Sequence, residues 1–254
     1  MRWEGGKRMV REMLLHVFRG GPEGGAEEPY RVPVGPGQVV LDGIHWIQRH
    51  RAPDLAVRWN CKAARCGSCS AEINGRPRLM CKTRLDGFAE REIHIRPLAT
   101  FPLVRDLVTD VGWNAKVAGR IPPLELTAPA PLRLAPWDAE RVQEFHRCIE
   151  CWLCQDVCHV LREHGGQDRY FGPRFLAKIA ELEMHPLDGG DRMDLLTGPA
   201  GLELCNVTRC CQEVCPEEVH ITDNAIIPLK ERLADRRWDP LRRLGRRAVR
   251  RTQL

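Results

Sequence analysis

The run Cys148-Ile-Glu-Cys151-Trp-Leu-Cys154-Gln-Asp-Val-Cys158 spaces four cysteines as C-x2-C-x2-C-x3-C. Two short gaps let three thiolates converge on one centre, and the longer last gap sends the fourth elsewhere. This is the spacing that wraps a loop around a cubane iron-sulfur cluster and passes the last cysteine to a neighbouring one. A second run, Cys205-Asn-Val-Thr-Arg-Cys210-Cys211-Gln-Glu-Val-Cys215-Pro216, overlays the first with Cys205, Thr208, Cys211 and Cys215 in the same slots. If each run lends its last cysteine to the other, Cys148, Cys151, Cys154 and Cys215 hold a [4Fe-4S] cluster. Cys158, Cys205 and Cys211 then hold three irons, and Thr208 in the place of a thiolate predicts [3Fe-4S]. Cys210 is left over, either a packed free thiol or the rescuer of a fourth iron.

A separate motif lies upstream: Cys61-Lys-Ala-Ala-Arg-Cys66-Gly-Ser-Cys69, then Cys81 after eleven residues. C-x4-C-x2-C with a distant fourth cysteine is the plant-type [2Fe-2S] spacing. Ala63, Ala64, Gly67 and Ser68 give the loop little side-chain bulk, so backbone N–H groups can face sulfur. Asn74-Gly75 between two apolar stretches is a strong hairpin signal, because both residues tolerate positive φ. Such a hairpin returns Cys81 to the side of Cys69.

The rest of the chain organises around these motifs. Strand-like stretches at 9–18 and Tyr30–Val34 flank a Gly/Pro/Glu-rich segment, Gly20 to Pro29, which reads as a turn. Val40, Ile44 and Ile47 recur at helical spacing over 39–50, with Pro53 closing the segment. Glu92 to Arg96 alternates as a further strand. Prolines 122, 123, 129, 131 and 136 mark an ordered, surface-hugging linker or a partner-binding segment. Helices are expected over Ala139–His146, after Pro173 with Phe175, Leu176, Ile179 and Leu182 on one face, and over Ile226–Arg236.

At 254 residues the chain has room for two domains. Its twelve cysteines are not read as disulfides, since the chain is long and no apolar leader follows its charged start; a reducing compartment and metal thiolates fit better. No apolar run approaches the roughly 18 residues of a membrane-spanning helix. The net charge of +5 is a C-terminal feature, for Lys230 to Arg251 holds ten Lys/Arg against three acids.

Three clusters form a wire, because each carries an electron and none offers substrate chemistry. No catalytic residue is therefore assigned to this chain. No G-x-G-x-x-G fingerprint follows a strand, so the electron donor or acceptor lies on another polypeptide. His16, His45 and His94 sit in apolar or strand-like surroundings and read as satisfied core or surface groups. The bland alternative for the cysteines is structural zinc, which also uses C-x2-C pairs; two successive x2 gaps, the crossed repeat and the independent plant-type motif favour iron and sulfur.

In this order, the motifs resemble the iron-sulfur subunit of succinate dehydrogenase and fumarate reductase over nearly the whole chain. Phe101-Pro-Leu-Val-Arg-Asp-Leu-Val-Thr-Asp110 and the second cysteine run are similar to that family's segments. So is Cys158-His-Val, in particular to actinobacterial members, where other members have Cys-Pro. The resemblance implies an α+β chain: a plant-type ferredoxin-like, β-grasp domain over 1–106, then an all-helical bacterial-ferredoxin-like two-cluster domain over 107–254. It further implies a flavoprotein subunit whose FAD interconverts succinate and fumarate, and a membrane anchor that binds quinone, with menaquinone favoured and haem b on the anchor an option. The chain would lie peripherally on the cytoplasmic face of a bacterial cell membrane.

One departure touches the quinone end. Members that use ubiquinone carry tryptophan five positions after the last cysteine of the first run, where this chain has Glu163. His159, Asn206 and Thr208 flank the three-iron ligands and are the expected quinone neighbours, with ordinary packing as the alternative. The basic tail fits a membrane or anchor contact, against a merely solvated face; no reading motif for nucleic acid accompanies it. Runner-up functions are the iron-sulfur subunit of another flavin-linked dehydrogenase or a heterodisulfide-type reductase, and, from a different class, a zinc-stabilised nucleic-acid-binding protein.

Overall fold

Met13, Leu15 and Val17 alternate with exposed or half-buried neighbours, and that period of two is what a one-face-buried strand requires. In the computed structural model, which describes residues 11–126, 135–163 and 166–238, they lie on β1 (Arg11–Gly21). This strand pairs antiparallel along its whole length with β2 (Gly24–Val34). The turn is shorter than the sequence suggests, because the glycines let the two arms stay paired to their ends. A Cβ on Gly20 would lie 2.4 Å from Gly24 O, and one on Gly25 would lie 2.3 Å from Arg19 O. The glycines serve close approach rather than a long loop.

Helix α1 (Val40–His50) buries Val40, Leu41, Ile44 and Ile47 as its spacing predicts, and Asp42 accepts the Val39 N–H at its start. Next come β3 (Ser70–Ile73) and β4 (Arg76–Leu79), joined by Asn74 at φ 50° and Gly75 at φ 72°. Strand β5 (Glu92–Arg96) runs parallel to β1 and antiparallel to β3, giving the order β2-β1-β5-β3-β4. A small ribbon, β6 (Leu103–Arg105) and β7 (Val108–Thr109), ends this part. Asp106 at its turn is buried and pins three segments. Its carboxylate accepts Gly20 N at 3.0 Å, Arg19 Nε at 3.2 Å and Ala56 N at 2.8 Å.

The remainder is built of short helices: α2 (Gly112–Ala118), α3 (Pro136–Gln143), α4 (Leu153–Asp156), α5 (His159–Arg162), α6 (Gly166–Arg169), α7 (Pro173–Glu183), α8 (Met193–Thr197), α9 (Cys210–Glu213) and α10 (Ile227–Trp238). Their core runs from Val117 to Leu229, whereas the sheet's core draws mainly on Met13 to Leu107. Helix α7 is the hub, with Phe175, Leu176, Ile179 and Leu182 buried as expected. Sheet first and helices second is the α+β class read from the sequence.

Of the proline-rich linker, residues 127–134 lie outside the described residues. Its visible start is tied down: Arg192, with no exposed side-chain area, pairs with Asp188 at 2.8 Å and donates to the carbonyls of Pro122 and Pro123. No described helix is long and apolar enough to cross a membrane.

Candidate metal centres

None of the twelve cysteines forms a disulfide, and their thiols gather in three sets. In the first, Lys62 at φ 53°, Ala64 at φ 54° and Gly67 at φ 67° turn successive peptides inward. Ala63 and Arg65 both aim their N–H at Cys61 Sγ, each at 3.3 Å, and Cys61 N faces Cys66 Sγ at 3.5 Å. Concavities of this kind, made by alternating backbone conformations, hold anions. The β3–β4 hairpin returns Cys81, whose N–H lies 3.4 Å from Cys69 Sγ. Burial pushes the Cys69 thiol up to about 12, with Cys81 and Cys66 adding to the rise. Cys66 is drawn down to about 6, because donors on Ser68 and Cys61 outweigh its burial. The local donors already favour a charged sulfur there.

The second set crosses between the two runs. Cys148, Cys151, Cys154 and Cys215 line one cavity together with Arg174. Burial raises the thiols of Cys148, Cys151 and Cys154, and the charge of Cys215 adds to each. Four thiols that would repel one another when ionised need a cation to compensate, and an iron cluster supplies it.

In the third set, Cys158 feels Cys210 and Cys205 beyond its own burial, and Cys211 feels Cys210, Cys158 and Cys205. Cys211 Sγ lies 3.4 Å from Thr222 Oγ1. Cys210 is half-buried, with its sulfur 3.2 Å from Thr208 Oγ1, so the spare thiol has a partner in the residue that fills the missing slot. The phenol of Tyr170 is buried beside Cys205, Cys158 and Cys211 and has no nitrogen or oxygen partner. A buried phenol whose one side-chain acceptor is the sulfur of Cys205 fits a sulfur-rich group at this set.

The repeat seen in the spacing extends to the backbone. Glu150 and Trp152 have φ 53° and 64°, and the corresponding Val207 and Arg209 have φ 62° and 64°. Non-glycine residues rarely adopt this conformation, and here two pairs of them do so at matching offsets within the two thiol loops. Nothing in the residue types signalled it.

The sets also adjoin one another. Gly67 of the first loop packs on Cys151 of the second, and Ser70 Oγ donates to both Gly67 O at 2.9 Å and Cys151 O at 2.7 Å. Lys82 Nζ donates to Pro216 O at 2.7 Å, tying the β3–β4 region to the end of the second run.

A family model for the 2Fe-2S iron-sulfur cluster binding domain matches residues 15–114, and one for the 4Fe-4S dicluster domain matches residues 144–219. Fumarate reductase iron-sulfur subunits are similar to the chain. That of Haemophilus influenzae is 31% identical, covering 82% of this chain and 88% of the relative; that of Mycobacterium tuberculosis is 30% identical, covering 83% and 89%. The chain belongs to the iron-sulfur subunits of fumarate reductase and succinate dehydrogenase. A chain of the solved Mycobacterium smegmatis Sdh1 complex in the apo form is similar too, with 52% identity and a TM-score of 0.88, covering 91% of this chain and 99% of that one. Members of the family are electron-transfer subunits of oxidoreductase complexes, and this one carries the 2Fe-2S and 4Fe-4S modules in the expected order.

The other candidates are more dispersed. His159 is half-buried at the start of α5, while Asn206, Thr208 and Glu163 are exposed. All four lie next in sequence to the third set or a short helix away. His45 is not the satisfied group the sequence suggested, because its Nε2 is buried without a hydrogen-bond partner, whereas His16 Nε2 lacks a close hydrogen bond but faces Glu92 Oε2 at 3.7 Å. Burial first, then Lys62, lowers the His45 pKa. His16 instead stacks on His94 with ring centroids 4.6 Å apart. Most of the basic tail, from residue 239 on, lies outside the described residues. Of its visible part, Arg236 pairs with Asp191 and Asp194, and Arg232 donates to Glu183 O at 2.5 Å. Those two cations are engaged within the chain.

Proposed function

We propose that this chain relays single electrons between an FAD-bearing partner subunit and quinone at a membrane anchor, serving succinate oxidation or fumarate reduction. Cys61, Cys66, Cys69 and Cys81 would hold [2Fe-2S]. Cys148, Cys151, Cys154 and Cys215 would hold [4Fe-4S], and Cys158, Cys205 and Cys211 would hold [3Fe-4S]. When bound, these clusters accept and pass on one electron at a time.

The observation that carries the reading is the succession of sites. The first loop touches the second at Gly67 and Cys151, and Cys154 of the second set lies in one buried cluster with Cys158 and Cys211 of the third. The chain's own part is to fix that succession and keep it dry: Cys69, Cys151, Cys154, Cys158 and Cys211 are all buried. A division after residue 106 would cut the β6–β7 ribbon; moved past Thr109, it would give a sheet unit that faces the flavoprotein and a helical unit that faces the anchor. His159, Asn206 and Thr208 would lie on the quinone side, with menaquinone our choice of acceptor and the cytoplasmic face of the membrane our choice of location.

The native complex tests this. Iron and acid-labile sulfide should be found in place of zinc, and paramagnetic resonance should show a three-iron signal in the oxidised protein. Succinate should reduce a menaquinone analogue, or reduced quinone should drive fumarate reduction. Zinc in place of iron, or neither turnover in an iron-loaded complex, would overturn the reading.

A further inference from the structure

Buried polar side-chain atoms nearly always find partners, so two donors within five residues that lack a nitrogen or oxygen acceptor stand out. Arg174 Nε is buried without an acceptor, and Tyr170 Oη is buried with no nitrogen or oxygen partner, its one side-chain acceptor being the sulfur of Cys205. Tyr170 is 1% exposed and lies in one buried cluster with Cys158 and Cys211, against which Cys205 packs, so its surroundings are the third set. Arg174 lines the cavity of the second set, and Cys148 is the charge that acts on it most strongly, ahead of Glu150 and Cys154. Its Nη2 is occupied by Glu150 Oε1 at 3.0 Å, which leaves Nε free for another acceptor.

The segment between them is held from the first cysteine run. Gln155, fully buried, donates to Phe171 O at 3.0 Å and accepts Arg174 N at 3.2 Å. Gly172, at φ +85°, leaves the room this needs, since a Cβ there would lie 2.1 Å from Gln155 Oε1. Gln155 sits between Cys154 and Asp156 in sequence, so the part of the chain that supplies thiols to the second set also orients both donors.

The geometry points to a tuning role for the Tyr170–Arg174 segment: Tyr170 Oη donates to sulfur at the third site, Arg174 Nε donates to sulfur at the second, and each raises the reduction potential of its own cluster. This rests on the cluster assignment proposed above. Reduction adds one electron and hence one negative charge to a cluster. A hydrogen bond or cation at its sulfurs stabilises the reduced form more than the oxidised one. The proton stays on the donor throughout.

Redox titration of the native complex followed by paramagnetic resonance tests it. Tyr170→Phe should lower the potential of the three-iron centre and leave that of the cubane in place. Arg174→Met should do the converse. Should either variant fail to assemble, 3-fluorotyrosine replaces the chain's two tyrosines without a change of shape. Its more acidic phenol should raise the three-iron potential in the wild type, and Tyr170→Phe, if it assembles, should abolish that rise. Absence of a three-iron signal in the wild type would sink the cluster assignment. A three-iron signal whose potential is indifferent to Tyr170→Phe or to fluorination, or two potentials that move together in either variant, would sink the tuning role alone.

Discussion

Gly67 stands so close to Cys151 that a Cβ on it would lie 2.6 Å from Cys151 Cα. The contact joins the loop of the first thiol set to that of the second, and Ser70 Oγ bridges the carbonyls of the same two residues. Gly67→Ala should therefore separate the two loops and strain a left-handed position, costing on the order of 1–3 kcal/mol. A lower melting temperature of the complex, together with weaker magnetic coupling between the [2Fe-2S] and [4Fe-4S] centres, is the expected result. Unchanged coupling would show that the loops absorb the methyl group.

Asp106 anchors the edge of the sheet unit through three donors. Asp106→Ala leaves Gly20 N, Ala56 N and Arg19 Nε without their acceptor, although Arg19 Nη2 keeps Asp54, and should destabilise by about 3 kcal/mol. Asp106→Asn keeps the shape and tolerates φ 49°, so it should cost less than Ala. Thermal or denaturant unfolding of the two variants side by side measures the order.

Glu27 gives the acid limb of stability a definite sign. Burial pushes its carboxyl up, but hydrogen bonds from His94 and Arg96 more than offset this, and the pKa lies below the ordinary value. A depressed carboxylate stabilises the fold above its unfolded pKa of about 4.3, and that share is lost as pH falls through the lower folded value. Glu27→Gln should melt earlier at neutral pH, with a shallower loss on acidification below about pH 4. Melting curves across pH decide it; parallel curves would contradict the assignment.

Cys210 and Cys211 are neighbours with different fates. Cys211 is buried with the third set, whereas Cys210 is half-buried against Thr208. Cys210→Ala should leave the three-iron signal at full intensity, and Cys211→Ala should abolish it. A three-iron signal absent from the wild type and appearing only in Cys210→Ala would make Cys210 the ligand of a fourth iron.

Much of this was legible because cysteine spacing is a local property. C-x2-C-x2-C-x3-C constrains a loop whatever surrounds it, and Asn74-Gly75 specifies a turn that by itself returns Cys81 to Cys69. The pairing of β1 with β2 was legible but its length was not, because glycines read as loop formers and here serve close strand contact. Gly67 was legible as a low-bulk loop residue but not as a contact of Cys151, and Asp106, Ser70, Tyr170 and Arg174 were not legible at all. Each acts on a partner distant in sequence, and no periodic pattern marks a residue whose importance lies in one long-range contact. The unpartnered Nε2 of His45 was missed for the same reason: apolar surroundings reveal burial but not whether a partner is present.

The crossed pairing of Cys215 with Cys148, Cys151 and Cys154 also sets an order of events during biosynthesis. Three thiols of that site leave the ribosome early, but the site cannot close until the whole of α7 and the second run have followed. If the cubane is held as proposed, a chain broken off anywhere between Cys158 and Cys215 would have three of its thiols and never the fourth, so the site would be completed only by the far end of the helical part.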